Sequence, residues 1–212
     1  ILAGELTVGE TYFLREVRAF EVLREQIIPE LVRARRGGEQ KLRLWSAGCC
    51  TGEEAYTLAV MMHKAIPDPQ NWNVTVLGTD INPRFLRKAS VGVFSEWSFR
   101  SASPWLKEDY FAPAARNCYE IRQEIRDMVI FEPLNLAEDI YPALLNDTNA
   151  MDVIFCRNVL MYFAPEQIEK VIAKLRRSLV DGGWLVLSAC EAAHHRPTGF
   201  TAVDFEGAML FR

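Results

Sequence analysis

Leu42-Arg43-Leu44-Trp45-Ser46-Ala47-Gly48-Cys49-Cys50-Thr51-Gly52-Glu53-Glu54-Ala55-Tyr56 joins a strand, a glycine turn and a helix without a break. Leu42, Leu44 and Trp45 make the short strand. Tyr56, Leu58, Ala59 and Met62 then return at helical spacing, which predicts a helix from Glu53 to Ile66. Upstream, Phe13, Phe20, Leu23, Ile27 and Leu31 recur at threes and fours, predicting a helix from Thr11 to Arg35 that Gly37-Gly38 ends. Downstream, Pro67-Asp68-Pro69 breaks the helix and Val74 to Leu77 forms a second strand. Asp80-Ile81-Asn82-Pro83 follows, with Asn82 as N-cap and Pro83 at the first helical position. Strand, helix and strand in this order fit a right-handed crossover between parallel strands.

The alternation pauses over residues 92–127, an aromatic-rich insertion with a candidate strand at Cys118 to Arg122 that predicts a small sheet. It resumes with strands at Met128 to Phe131 and Asp152 to Cys156, a helix from Pro165 to Leu179 and a strand at Trp184 to Ser188. The tail differs: Phe200 to Phe205 and Ala208 to Phe211 flank Glu206-Gly207 and read as an antiparallel hairpin. The expected fold is α/β, a doubly wound, mostly parallel sheet with a terminal hairpin, in a single domain over residues 1–212.

Composition narrows the function. In 212 residues, 24 Lys and Arg against 28 Asp and Glu give a net charge of −4, which offers no general attraction to nucleic acid. Half the residues are hydrophobic and a quarter charged, so a full core is available and disorder is excluded. No apolar run approaches the roughly 18 residues of a membrane span. Ile1 opens neither a signal peptide nor a natural start, so a trimmed cytoplasmic chain is expected. Cys49, Cys50, Cys118, Cys156 and Cys190 form no CxxC pair, which predicts buried thiols rather than disulfides or zinc.

In such sheets a ligand lies beyond the carboxyl ends of the strands. Gly48 and Gly52 let backbone approach it just before a helix N-terminus, although a tight turn alone would also use them. Neither a G-x-G-x-x-G fingerprint nor a P-loop lysine is present, which weighs against a nicotinamide dehydrogenase. Glu53 and Glu54 in the first turn would repel a pyrophosphate and suit a cationic ligand, S-adenosylmethionine among them; their alternative role is to complement the helix dipole. Asp80 after the second strand could accept from ribose hydroxyls. Asn135 and Asn158 end the third and fourth strands with an amide's paired donor and acceptor.

The segments Thr11 to Glu16, Trp45 to Glu54, Thr79-Asp80-Ile81 and Phe155-Cys156-Arg157-Asn158-Val159-Leu160-Met161-Tyr162-Phe163 resemble, in the expected order, the CheR-type chemotaxis-receptor glutamate methyltransferases. The resemblance implies a class I methyltransferase-like fold, S-adenosylmethionine as cofactor with S-adenosylhomocysteine as product, and esterification of glutamates on the cytoplasmic helices of methyl-accepting chemotaxis receptors. It implies that Thr11 and Arg15 lie at the methionine end, that Glu54 in preference to Glu53 holds the ammonium, and that Asp80 holds the ribose. Asn135 and Leu136 fall on the adenine side, Arg157 and Asn158 line the pocket, and Tyr162 faces the methyl. Gly9 and Leu14 depart from the family's usual asparagine and phenylalanine, and its helical N-terminal domain has no counterpart in this sequence.

A glutamate nucleophile, with an ordinary pKa near ~4.3, is already ionised at neutral pH, so no general base is needed. His63, His194 and His195 are accordingly expected on solvated surface. Arg15 and Tyr162 are the expected carboxylate-orienting pair. The short Ala112 to Asn117 stretch lacks the glycine-rich loop of tether-binding members, so no tether docking is expected, and Trp97 and Trp105 read as core anchors. A monomer is expected. The rival reading is a non-catalytic cofactor-binding scaffold or sensor in a signalling complex.

Overall fold

The computed structural model describes residues 9–212; the chain start read at Ile1 lies outside them. Its strands are β1 (Lys41–Ala47), β2 (Asn73–Asp80), β3 (Val93–Ser95), β4 (Phe111–Ala114), β5 (Cys118–Ile121), β6 (Val129–Pro133), β7 (Met151–Phe155), β8 (Leu179–Val186), β9 (Ala202–Phe205) and β10 (Ala208–Phe211). Seven form one sheet in the order β6-β2-β1-β7-β8-β10-β9. The first five run parallel, and β10 is antiparallel to both β8 and β9, closing the sheet with the expected hairpin. This is the class I methyltransferase-like, doubly wound arrangement. The strand order reverses between β1 and β7, where a crevice opens beyond their carboxyl ends.

Alternate side chains of each strand feed two cores. Leu44, Val153 and Phe155 point into the layer that holds Phe20, Leu23 and Tyr56; Trp45 and Ile154 point into the other, with Leu175 and Leu185. β7, at the centre, is buried along its whole length, as a strand covered on both faces must be.

The N-terminal helix begins at Val17 and not at Thr11. Leu14 and Glu16 have positive φ angles of 59° and 55°, which a helix does not allow. Phe13 is held from outside, its N–H donating to Ser98 O at 2.9 Å. The apolar spacing through Phe13 therefore marks burial without marking helix. From Val17 the chain stays helical to Arg35, with a π-helical turn at Leu23–Ile27 just before Pro29, which has no N–H to donate to the preceding turn.

Residues 92–127 form the predicted separate sheet, antiparallel in the order β3-β5-β4. Phe13 joins it to the main body, its ring 4.8–5.1 Å from those of Phe94, Phe99 and Phe111. Trp105 is half-buried against the first core. Trp97 corrects the expectation of a core anchor: it is 68% exposed, because the turn Glu96–Phe99 turns Ser98 and Phe99 inward and leaves Trp97 outside under Arg100. His63 likewise departs from the solvated surface, lying half-buried and edge-on to Tyr110. Among the thiols, all unpaired, Cys49 and Cys156 are buried as expected, whereas Cys190 is exposed.

Among the described residues, no helix is long and apolar enough to cross a membrane, and no cluster of His, Cys, Asp and Glu could hold a metal ion.

Candidate functional site

A cavity of about 490 Å³ opens at the carboxyl ends of β1, β2, β6 and β7, within the range of small-molecule sites. The loop after β1 forms its floor. Gly48 has φ +86°, and a Cβ there would lie 2.4 Å from Val159 Cγ2, so only glycine lets the β1 and β7 loops meet. The N–H groups of Gly48 and Cys49 both donate to Thr79 O at 2.8 Å, tying this floor to β2. Asp80 closes the knot: Oδ2 accepts from Cys50 N at 2.9 Å and Oδ1 from Asn82 N at 2.8 Å. Burial raises its carboxyl pKa, opposed by these N–H donors. Burial, then Glu53 and Asp80, pushes the Cys50 thiol up to about 12, so no thiolate is available to act as a nucleophile here.

The structure separates the two adjacent glutamates. Glu53 lies outside the cavity lining, buried toward the insertion, where Thr51 Oγ1 donates to it at 2.6 Å and Ser98 Oγ at 3.0 Å. Neighbouring positions on a helix point in different directions, so only one of the pair faces the ligand side. Glu54 does. Ser46 Oγ donates to its Oε1 at 2.7 Å and Arg157 Nη1 to its Oε2 at 3.1 Å. Burial raises the Glu54 pKa, and Arg157 and Ser46 hold part of that rise back.

Arg157 is the buried cation of the site. Its side chain is 1% exposed, bridges Glu54 and Glu16, and donates to Arg15 O at 2.5 Å, while its buried Nε has no partner among the described residues. Thr11 and Arg15 also line the cavity; Arg15 reaches Glu10 O at 2.8 Å. On the opposite wall, Asn158 adopts φ 57°, and the short turn Leu160–Tyr162 places Tyr162 at the mouth, 64% exposed. Asn135 and Leu136 complete the lining after β6. The Asn135 amide is engaged in its own turn, accepting from Ala137 N and donating to Glu138 Oε1, both at 3.0 Å.

Two buried charges behind the lining are absent from the sequence reading. Lys174 Nζ donates to Leu136 O at 2.9 Å and Glu138 O at 2.6 Å, holding the β6 loop from behind. No sequence signal marks it. Glu191 accepts from the backbone N–H groups of Asn158, Val159 and Leu160, and forms a capping box with Ser188. The Ser188-Ala189-Cys190-Glu191 spacing is the legible trace of that box.

A cavity with the half-buried Glu54 carboxylate beside the Arg157 guanidinium fits a zwitterionic head group. Residues 9–208 match the family described as CheR methyltransferase, SAM binding domain. The chain belongs to this CheR family. Its cofactor is S-adenosylmethionine. The chain is also similar to named methyltransferases: Chemotaxis protein methyltransferase 1 of Pseudomonas aeruginosa is 32% identical, over 100% of this chain and 76% of its own length. Chemotaxis protein methyltransferase 2 of Vibrio cholerae is 34% identical over 88% of this chain and 63% of its own. The chemotaxis protein methyltransferase of Borreliella burgdorferi is 30% identical, over 90% and 66%. The chain thus spans about two thirds to three quarters of the length of these relatives.

Proposed function

We propose that the chain transfers the methyl group of S-adenosylmethionine to glutamate side chains on the cytoplasmic helices of chemotaxis receptors, forming methyl esters. The observation that carries this reading is the placement of Arg15 and Tyr162 on the same cavity that holds the Glu54–Arg157 pair and Asp80. Glu54 would hold the cofactor's ammonium, the neighbouring Arg157 its carboxylate, Asp80 its ribose, and Asn135 with Leu136 its adenine, with Arg15 beside the methionine end close to the reacting centre. Thr11, Gly48 and Asn158 would shape the remaining wall. The cofactor supplies an activated methyl on a sulfonium.

What the chain must do is align a carboxylate with that methyl and exclude water. Arg15 can grip a carboxylate through its planar fork, and the Tyr162 hydroxyl at the mouth can donate to it. No base is required, and none of the three histidines lines the cavity. The chain is read as a monomer that docks no tether peptide.

Arg15→Ala and Tyr162→Phe test the reading. Both should lower turnover on a receptor fragment at saturating cofactor by more than they weaken S-adenosylhomocysteine binding, the signature of contacts made in the transition state. Lysine at position 15 should rescue poorly, since an ammonium lacks the fork. Equal losses in both readouts would return these residues to the cofactor pocket. Cofactor binding without methyl incorporation in the unmutated chain would favour the scaffold.

A further inference from the structure

We infer that Glu191 is the positioning residue that sets the wall of the cavity carrying Asn158 and Tyr162, although it lies outside the cavity itself. The chain leaving β7 does not continue into regular structure. Asn158 is left-handed at φ 57°, Val159 lies at φ −120° and ψ −41°, and a short 3-10 turn follows at Leu160–Tyr162. Three successive N–H groups in such a path have no strand or helix partner. All three converge on one carboxylate: Asn158 N donates to Glu191 Oε2 at 2.8 Å, and Val159 N and Leu160 N donate to Oε1 at 2.9 and 2.8 Å. Glu191 is buried, and among the described residues it forms no ion pair. Its charge is balanced by these dipoles and by Ser188, whose hydroxyl donates at 2.6 Å.

The geometry ties the wall to both sides of the site. Val159, held at its N–H, presses its side chain against Gly48 on the floor. The helix start beside Glu191 also reaches the opposite wall: Ala189 N donates to Glu16 Oε2 at 3.0 Å, and the same Glu16 oxygen meets Arg157 at 3.3 Å. Residues 188–191 therefore sit between the segment bearing Arg15 and the turn bearing Tyr162, and fix one against the other. An amide cannot replace the carboxylate. Glutamine offers one acceptor oxygen, and its NH2 would face the N–H of Asn158 or the pair at Val159 and Leu160.

The test compares the chain with Glu191→Gln and with Val32→Ala, a core truncation away from the cavity. Amide exchange at Asn158, Val159 and Leu160 is read first, because it does not depend on the methyl-transfer reading on which the second readout rests. Glu191→Gln should speed exchange at these three amides at least tenfold relative to those of Cys50 and Asn82. It should raise the dissociation constant of S-adenosylhomocysteine about tenfold and lower turnover of a receptor fragment at saturating cofactor by at least as much again. Val32→Ala should lower the melting temperature and change neither affinity nor saturated turnover. Unchanged exchange in Glu191→Gln, or changed exchange with wild-type affinity and turnover, overturns the inference. Should Glu191→Gln fail to fold, Glu191→Asp keeps the charge one methylene short, and an intermediate rise in exchange rate with an intermediate loss of affinity is expected. A profile like that of Val32→Ala, stability lost and affinity kept, overturns it. If the unmutated chain binds no S-adenosylhomocysteine, the methyl-transfer reading fails while exchange still decides the role of Glu191.

Discussion

Asp80, at the end of β2, and Glu54, in the first turn of the helix after β1, are both carboxylates whose pKa values burial raises, yet their partners assign them different work. Asp80 spends both oxygens on backbone N–H groups and thereby shapes the floor before any ligand arrives. Asp80→Ala should weaken S-adenosylhomocysteine binding by about 1–3 kcal/mol and also lower stability, since two buried donors lose their acceptor. An unchanged titration would restrict Asp80 to fold maintenance. Glu54 faces the ligand, and its ionised form is the one an ammonium selects. Because burial raises its pKa in the free protein, affinity should be full above that raised value and fall as pH drops through it, at a higher pH than an ordinary glutamate would give. Titrations across acidic pH check this, and Glu54→Gln should bind more weakly with that pH dependence gone. The residue pattern showed two acidic residues at the right turn and only the family resemblance favoured Glu54, because Ser98, which claims Glu53, comes from the distant insertion.

At the scale of elements, what was legible was whatever depends on local chemistry. The Asn82 cap with Pro83 behind it, the glycine turn after β1 and the terminal hairpin all form where their residues predict, with Asn82 Oδ1 accepting from Arg84 N at 2.9 Å. What was not legible depends on distant partners. Phe13 keeps the helical apolar spacing, but the segment forms a turn with left-handed φ at Leu14 and Glu16, held by the insertion and by Arg157, neither of which is adjacent in sequence. The glycine turn yields a prediction at this scale. Gly48→Ala combines a positive φ with collision against Val159 and should cost about 2–4 kcal/mol in denaturant unfolding and abolish tight cofactor binding. Gly37→Ala is the control, since its φ of +80° carries the backbone strain while nothing lies within 4 Å of the added Cβ. A modest loss of stability with intact binding is expected there. If Gly48→Ala behaves like Gly37→Ala, the close approach of the two loops is not what the site requires.

Across the whole molecule, the two ends of the parallel sheet are built for different purposes. The carboxyl ends hold polar groups that face a cavity, and the amino ends hold a buried charge that faces only protein. Asp152, fully buried at the start of β7, accepts from Arg43 N at 2.8 Å and is gripped by both terminal nitrogens of the Arg35 guanidinium. It thus joins β1, β7 and the end of the helix Ile28–Arg35 at the pole opposite the ligand. Burial raises its pKa against the pull of those donors, so the pair organises the fold at a desolvation cost and does not tune chemistry. Asp152→Ala leaves the Arg43 N–H without its acceptor and the Arg35 guanidinium with only Lys41 O. It should remove about 3 kcal/mol, the low end for a broken buried pair because Arg35 retains some solvent, and lower the melting temperature by roughly 6–12 °C. Cofactor affinity measured well below that melting temperature should stay within about twofold, since no residue of the cavity lining touches this cluster. A large loss of affinity in a variant that still melts cooperatively would mean that the two poles are coupled through β1 and β7, and that the division of labour along the strands does not hold.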